Sequence, residues 1–205
     1  MQYDYTATRT VKGVADSCSM NYLYYMPVRR NMPYTSGMYS ITFTCTNWLS
    51  LFEIADAYSS VYNWFDVLKA QGHYIVGYTI MPNHLHAVIA FVNRSKPINT
   101  IISNGKRFMA YDIVDKLEHV NNTTILNTLS NARNATEIKA NKQHKVFETS
   151  FDWKWCNSDK MLEQKLNYIY TTTHVKANGI WQTTLWNMYI VPRNIILQVS
   201  RAFMK

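Results

Sequence analysis

Two histidines stand two residues apart in Met81-Pro82-Asn83-His84-Leu85-His86-Ala87-Val88-Ile89. On a strand, residues two apart face the same way, so His84 and His86 project together while Leu85 enters the core. Two neighbouring imidazoles at the open end of a strand are two-thirds of a metal site, and need an oxygen or nitrogen ligand from elsewhere. Taken alone, the same spacing also describes two plain surface histidines. Rival metal chemistries lack their partners. A zinc deaminase requires H-x-E and a later P-C-x-x-C, and neither occurs. A cupin-type site requires a glutamate shortly after the pair, and Ala87 to Val92 has none. A barrel metallohydrolase also begins from H-x-H, but 205 residues is short for that fold.

The second candidate is a tyrosine on a late helix, Ser158-Asp159-Lys160-Met161-Leu162-Glu163-Gln164-Lys165-Leu166-Asn167-Tyr168-Ile169-Tyr170. Leu162, Leu166, Ile169 and Thr173 fall within about 60° of one another on a helical wheel, forming the buried stripe. Tyr168 lies roughly 120° off that stripe, with Met161, Lys165 and Thr172 on its flank. A tyrosine so placed also describes ordinary packing with a wet hydroxyl.

These side chains need elements to hold them. Tyr39 to Trp48 alternates, with Ile41, Phe43 and Cys45 on one face and threonines on the other, which predicts a half-buried strand. Ala55 to Gln71 has helical periodicity and is followed by Gly72. Tyr74–Met81 and His84–Val92 are strand-like runs separated only by Pro82 and Asn83, which predicts a hairpin. Ile98 to Val120 reads as a second helix with Gly105 as a local weakness. Lys145 to Cys156 is irregular or strand-like, and Ser158 to Ala177 reads as a helix stopped by Asn178-Gly179. Strand, helix, hairpin, helix and late helix together predict an α+β fold, an antiparallel sheet covered by helices, with the split βαβ (ferredoxin-like) arrangement as the simplest topology. The division expected is an N-terminal extension over 1–37, a main domain over 38–181 and a tail over 182–205. Within the main domain, 121–144 is helical at best in pieces, lacks a firm apolar stripe and reads as a mobile insertion.

Composition narrows the function classes. Lysine and arginine number 21 against 13 acids, a net charge of +8, and such an imbalance favours a polyanionic partner such as nucleic acid. The longest purely apolar run, Ala87 to Val92, is too short to span a membrane. The first twenty residues have no apolar signal region. Cys18, Cys45 and Cys156 lie far apart without a C-x-x-C, as expected of free thiols in a cytoplasmic protein. No G-x-G-x-x-G or P-loop occurs, so no nucleotide cofactor is expected.

Taken together, M-P-N-H-U-H (U apolar), a helix carrying K-L-N-Y-I and a downstream V-K-A-x-G resemble one family, the HUH single-tyrosine transposases. The nearest likeness is to the REP-associated tyrosine transposases related to the IS-two-hundred type of insertion sequence. The resemblance runs from about Tyr39 to Trp181. It implies a transposase that binds single-stranded or hairpin DNA, with Tyr168 as the catalytic nucleophile forming a 5′-phosphotyrosine. It also implies Mg²⁺ or Mn²⁺ held by His84, His86 and a polar residue on the tyrosine helix, and a homodimer. A phenol of pKa ~10 is mostly protonated at neutral pH and needs the metal or a water to take its proton.

The run Tyr168-Ile169-Tyr170-Thr171-Thr172-Thr173-His174-Val175-Lys176-Ala177-Asn178-Gly179 departs from the family's Y-I-x-x-N-P-V-K-A-G. The asparagine that serves as third ligand is gone and one residue is added before Val175. Thr172, one turn beyond Tyr168, or a water is expected in its place. An uninterrupted helix would turn His174 away from Tyr168, and Tyr170 is a reserve nucleophile. Lys106 and Arg107, which the family places near the active face, and Lys165 beside Tyr168 are expected DNA contacts. Trp153 and Trp155 could stack on unpaired bases or take a core or edge role. Three alternatives stay open: a DNA-binding descendant without catalysis, a relaxase or replication-initiator nuclease, and a metal-binding structural module with no DNA role.

Overall fold

In the computed structural model, described here for residues 32, 36–92 and 96–171 and for the backbone of 172, 174–177, 180–183 and 187–190, alternation becomes a sheet as expected. Strand β1 (Gly37–Thr44) buries Tyr39, Ile41 and Phe43 on one face and directs Thr42 to the other. A tight turn at Thr46–Trp48, helix α1 (Leu51–Ile54) and helix α2 (Tyr58–Ala70) lead into the hairpin β2 (Tyr74–Met81) and β3 (His84–Phe91). Helix α3 (Ile98–His119) follows, then α4 (Thr123–Asn131), α5 (Ala135–Lys139), β4 (Asp152–Trp155) and α6 (Asp159–Thr172). Three short strands, β5 (His174–Ala177), β6 (Ile180–Thr183) and β7 (Asn187–Ile190), complete the described elements.

The main sheet has the order β4-β1-β3-β2-β7, with every neighbouring pair antiparallel. Its β4-β1-β3-β2 part is the split βαβ topology that the element order predicts. β3 is therefore flanked by long strands on both sides, which fixes the backbone carrying the two histidines. Residues 182–205 read as a tail in sequence, yet Asn187–Ile190 adds the fifth strand beside β2.

Helices cover both faces of the sheet. On one, Ile41, Phe43, Leu85 and Ile89 meet α2 and α3 in a large apolar core. Gly105 is a point of close approach there rather than a weakness, because a Cβ would overlap the Trp64 indole of α2. On the other, Val76, Val88 and Ala90 form a smaller cluster with Met38, Cys156 and, from α6, Leu162, Leu166 and Ile169.

Two regions differ from the sequence reading. The segment 121–144, read as helical at best in pieces and without a firm stripe, holds two short helices, each opened by an asparagine whose side chain caps the first turn, and one of them is anchored in the core. Leu129 of α4 is fully buried in the larger core. The late helix ends at Thr172 rather than Ala177, and His174–Ala177 pairs with Ile180–Thr183. Successive threonines and Val175 disfavour helix, and Thr171 Oγ1 turns back to the carbonyls of Asn167 (2.9 Å) and Tyr168 (3.2 Å). Of the extension read over 1–37, only Met32, Ser36 and Gly37 lie among the described residues.

Candidate active site

Register places the histidines before any side chain is considered. Along β3, odd-numbered Leu85, Ala87 and Ile89 enter the large core, so His84 and His86 share the opposite face with Val88 and Ala90. Across the sheet, His86 is paired with Thr42 of β1 and Thr79 of β2, and His84 with Thr44 and Met81. Helix α6 covers the Val88–Ala90 end of this face and leaves the histidine end beneath its last turns, where the Tyr168 ring comes down.

The result is a row of perpendicular rings. His84 and His86 have ring centroids 4.7 Å apart at 89°, and His86 and Tyr168 are 5.2 Å apart at 90°. On the far side of His84 stands Trp48, 5.8 Å away at 71°. His86 is buried, while Tyr168 is 52% exposed and Trp48 62%. A half-buried and a buried imidazole thus link an exposed indole to an exposed phenol.

Each imidazole is oriented through Nδ1. His84 Nδ1 lies 2.6 Å from Asn83 Oδ1, an atom that only accepts, so Nδ1 carries the proton and Nε2 keeps a lone pair. His86 Nδ1 lies 2.7 Å from Thr42 Oγ1. Its Nε2 is buried and has no hydrogen-bond partner among the described residues. A buried orphan of this kind calls for a ligand, and an Nδ1–H held by a neighbouring oxygen is the usual support of an Nε2-ligating histidine.

Electrostatics keep both rings neutral. Burial lowers the pKa of His84. For His86, burial first, then the repulsion it would meet from a protonated His84 and from Lys165, push it down to about 3. Neutral imidazoles are what a divalent cation needs, so the pair fits a metal ion as two of its ligands. Among the described residues no group of three or more His, Cys, Asp or Glu could complete such a site. A third ligand from the described residues would therefore be of another type. Thr172, expected in that position, ends α6, and its side chain lies outside the described residues. The backbone of His174 is in β5, so no helical phase turns it from Tyr168, and its side chain is likewise outside them.

The expected DNA contacts divide. Lys165 sits one turn before Tyr168 on α6, and its charge is felt at His86. Lys106 and Arg107 belong to α3, the layer on the opposite side of the sheet. Lys106 is buried, its Nζ donating to the carbonyls of Glu148 (2.6 Å) and Ser150 (3.3 Å) beneath Phe43 and Phe151. The long stem follows apolar surface inward, and the ammonium ties α3 to the segment before β4. Arg107 is exposed and lies over Phe108, with its Cζ 5.1 Å from the ring centre. Trp153 packs edge-on against Tyr39 at 5.8 Å on the large-core face. Tyr170 is exposed on α6.

Three partners of the site go unread in the sequence: Thr42, Asn83 and Trp48. The strand alternation sets Thr42 on the histidine face, but cross-strand register is needed to see that it meets His86. Asn47 and Trp48 both have positive φ, 53° and 57°. A bulky side chain in that region is a genuine outlier, at a cost on the order of 1–3 kcal/mol. Nothing in the amino-acid pattern announces it.

No protein-family profile and no curated protein matches the sequence. Among solved structures, the chain is similar to a REP-associated tyrosine transposase bound to a REP hairpin, at 14% identity over 76% of each chain, with a TM-score of 0.48. It is also similar to a Deinococcus radiodurans R1 protein designated a transposase, at 14% identity over 70% of this chain and 97% of that one, with a TM-score of 0.41. Among the described residues, no helix is long and apolar enough to cross a membrane.

Proposed function

We propose that this chain is a transposase-like enzyme that cleaves and rejoins single-stranded or hairpin DNA through Tyr168, with His84 and His86 holding Mg²⁺ or Mn²⁺. The observation that carries this reading is the edge-on contact of the exposed Tyr168 ring with His86, at 5.2 Å, beside an otherwise unsatisfied Nε2. A nucleophile and a metal ligand from distant parts of the chain meet at one point. The motif resemblance supplies the substrate class, and the net charge of +8 agrees with a polyanion.

In the reaction, the Tyr168 Oη–phosphorus bond forms and the phosphorus–O3′ bond breaks. The phenolic proton passes to water, and the departing 3′ oxygen takes one up. When bound, the cation polarises the phosphoryl oxygen and offsets the charge that develops there. His84 and His86 present their Nε2 lone pairs, oriented by Asn83 and Thr42, and Thr172 or a water takes the third position. Lys165 neutralises a phosphate next to the nucleophile. The phosphotyrosine link conserves the phosphodiester energy, so a 3′-hydroxyl reverses the bond without a nucleotide cofactor. A homodimer accompanies this reading.

The lack of a third His, Cys, Asp or Glu among the described residues, with threonine where the resembled family has its asparagine, favours a second reading, a descendant that binds the DNA without cutting it. One experiment separates the two. The protein and its Tyr168→Phe variant are each incubated with labelled hairpin-bearing single strands and Mn²⁺. A denaturant-stable, metal-dependent adduct absent from the variant supports catalysis. A folded protein that binds the hairpin and never forms an adduct supports the binding-only descendant.

A further inference from the structure

Trp48 stands at the opposite end of the ring row from Tyr168, exposed and in a backbone conformation that a bulky residue rarely adopts. The segment around it is tightly held. Cys45 N donates to Asn83 O (2.8 Å), Thr46 N to Val146 O (2.8 Å) and Trp48 N to Cys45 O (3.2 Å). Asn47 N donates to Glu148 Oε1 (3.2 Å). The Asn83 amide joins this turn to the histidines. Its Oδ1 meets His84 Nδ1 at 2.6 Å, and its Nδ2 donates to Trp48 O at 3.4 Å. A strained conformation fixed by so many bonds holds an indole that folding alone leaves in water. Strain of this kind gathers at ligand clamps.

We infer that Trp48 is a stacking platform for an unpaired nucleobase, that of the nucleotide on the 5′ side of the scissile phosphate. The inference rests on the DNA-cleavage reading above and adds to it where the strand lies. In an in-line displacement, nucleophile and leaving oxygen stand on opposite sides of phosphorus. Tyr168 occupies one end of the row and Trp48 the other, with the two histidines between them. The leaving 3′ oxygen, and the nucleotide that carries it, therefore fall on the Trp48 side. A flat, exposed indole accepts any base, because every base has a π-face, so the contact positions the strand with little sequence preference. It also takes the role that Trp153, packed on Tyr39, does not fill.

The test measures binding in the Tyr168→Phe background, where no cleavage intervenes. The probes are single strands carrying an abasic position on either side of the cleavage point. Adding Trp48→Ala should weaken binding of the intact strand about 5- to 150-fold, the range for losing one base stack. On the strand that is abasic on the 5′ side, the same substitution should do almost nothing. On the strand that is abasic on the 3′ side, its full effect should remain. Trp48→Phe should recover part of the affinity, and Trp48→Asn, which suits positive φ, should bind as weakly as alanine while melting at or above the parent temperature. Equal affinity of Trp48→Ala and parent for the intact strand overturns the platform while the cleavage reading stands. A full Trp48→Ala loss on the strand abasic on the 5′ side does the same. Failure of the parent protein to bind any single strand removes both.

Discussion

The two faces of the sheet are built from the same alternating strands and have been put to different uses. On the α2–α3 side the strands point apolar and aromatic side chains inward, and Phe43 meets Trp64 and Phe147 edge-on at 6.1 and 5.3 Å. On the α6 side the apolar cluster is small, and the same strands give way to Thr42, Thr79, His84 and His86. Thr79 Oγ1 and His86 Nε2 are both buried there without hydrogen-bond partners among the described residues. One face carries the stability that lets the other hold unsatisfied polar groups in fixed positions.

The largest expected contrast is between single substitutions on the two faces. Phe43→Ala should lower the unfolding free energy by about 3–5 kcal/mol in urea titrations. Tyr168→Phe should change it by less than about 0.5 kcal/mol while removing the DNA adduct. A Tyr168→Phe loss comparable to that of Phe43→Ala would make Tyr168 a packing residue and erase the distinction between the faces.

The contrast also explains what could be read from sequence. The large-core face was legible almost residue by residue, because apolar alternation in Tyr39–Trp48 and His84–Val92 states both the strand and its inward side. His84, His86 and Tyr168 stood out as candidates through their motifs. Their convergence depends on β3 being central and on α6 crossing its far face, and neither follows from local spacing. Lys106 shows the reverse failure. A lysine on a helix reads as solvated or DNA-facing, yet long-range packing draws it under Phe43 and Phe151 to two carbonyls. Trp48 was invisible because the left-handed turn that presents it is set by bonds to Cys45, Glu148 and Asn83.

Acid should act mainly through the histidine face. In the fold, His86 gains a proton only near pH 3, whereas an imidazole in an unfolded chain titrates near 6.5. Between those values the unfolded chain binds the additional proton. The stability that neutral His86 contributes is therefore whole above about pH 6.5 and is lost as pH falls towards 3, by up to about 1.4 kcal/mol per pH unit. Equilibrium unfolding from pH 7 to 4 should show this slope in the parent and a shallower one in His86→Gln. Identical slopes would remove His86 as the source.

The smallest effect concerns the basic residues on the two sides. In single-strand binding measured across salt concentrations, Lys165→Gln should reduce the log–log slope by about 0.7, one phosphate contact. Arg107→Gln, on the opposite layer, should leave it unchanged. The reverse pattern would put the strand on the α3 side, away from the histidines.

The most direct measurement is to locate the covalent bond. Adduct formed between the protein and a hairpin-bearing single strand in Mn²⁺ is digested with nuclease and protease, and the nucleotide-linked peptide is sequenced by mass spectrometry. The account requires the linkage on Tyr168. A linkage on Tyr170 or any other residue, or no adduct from folded protein that binds the strand, would contradict it.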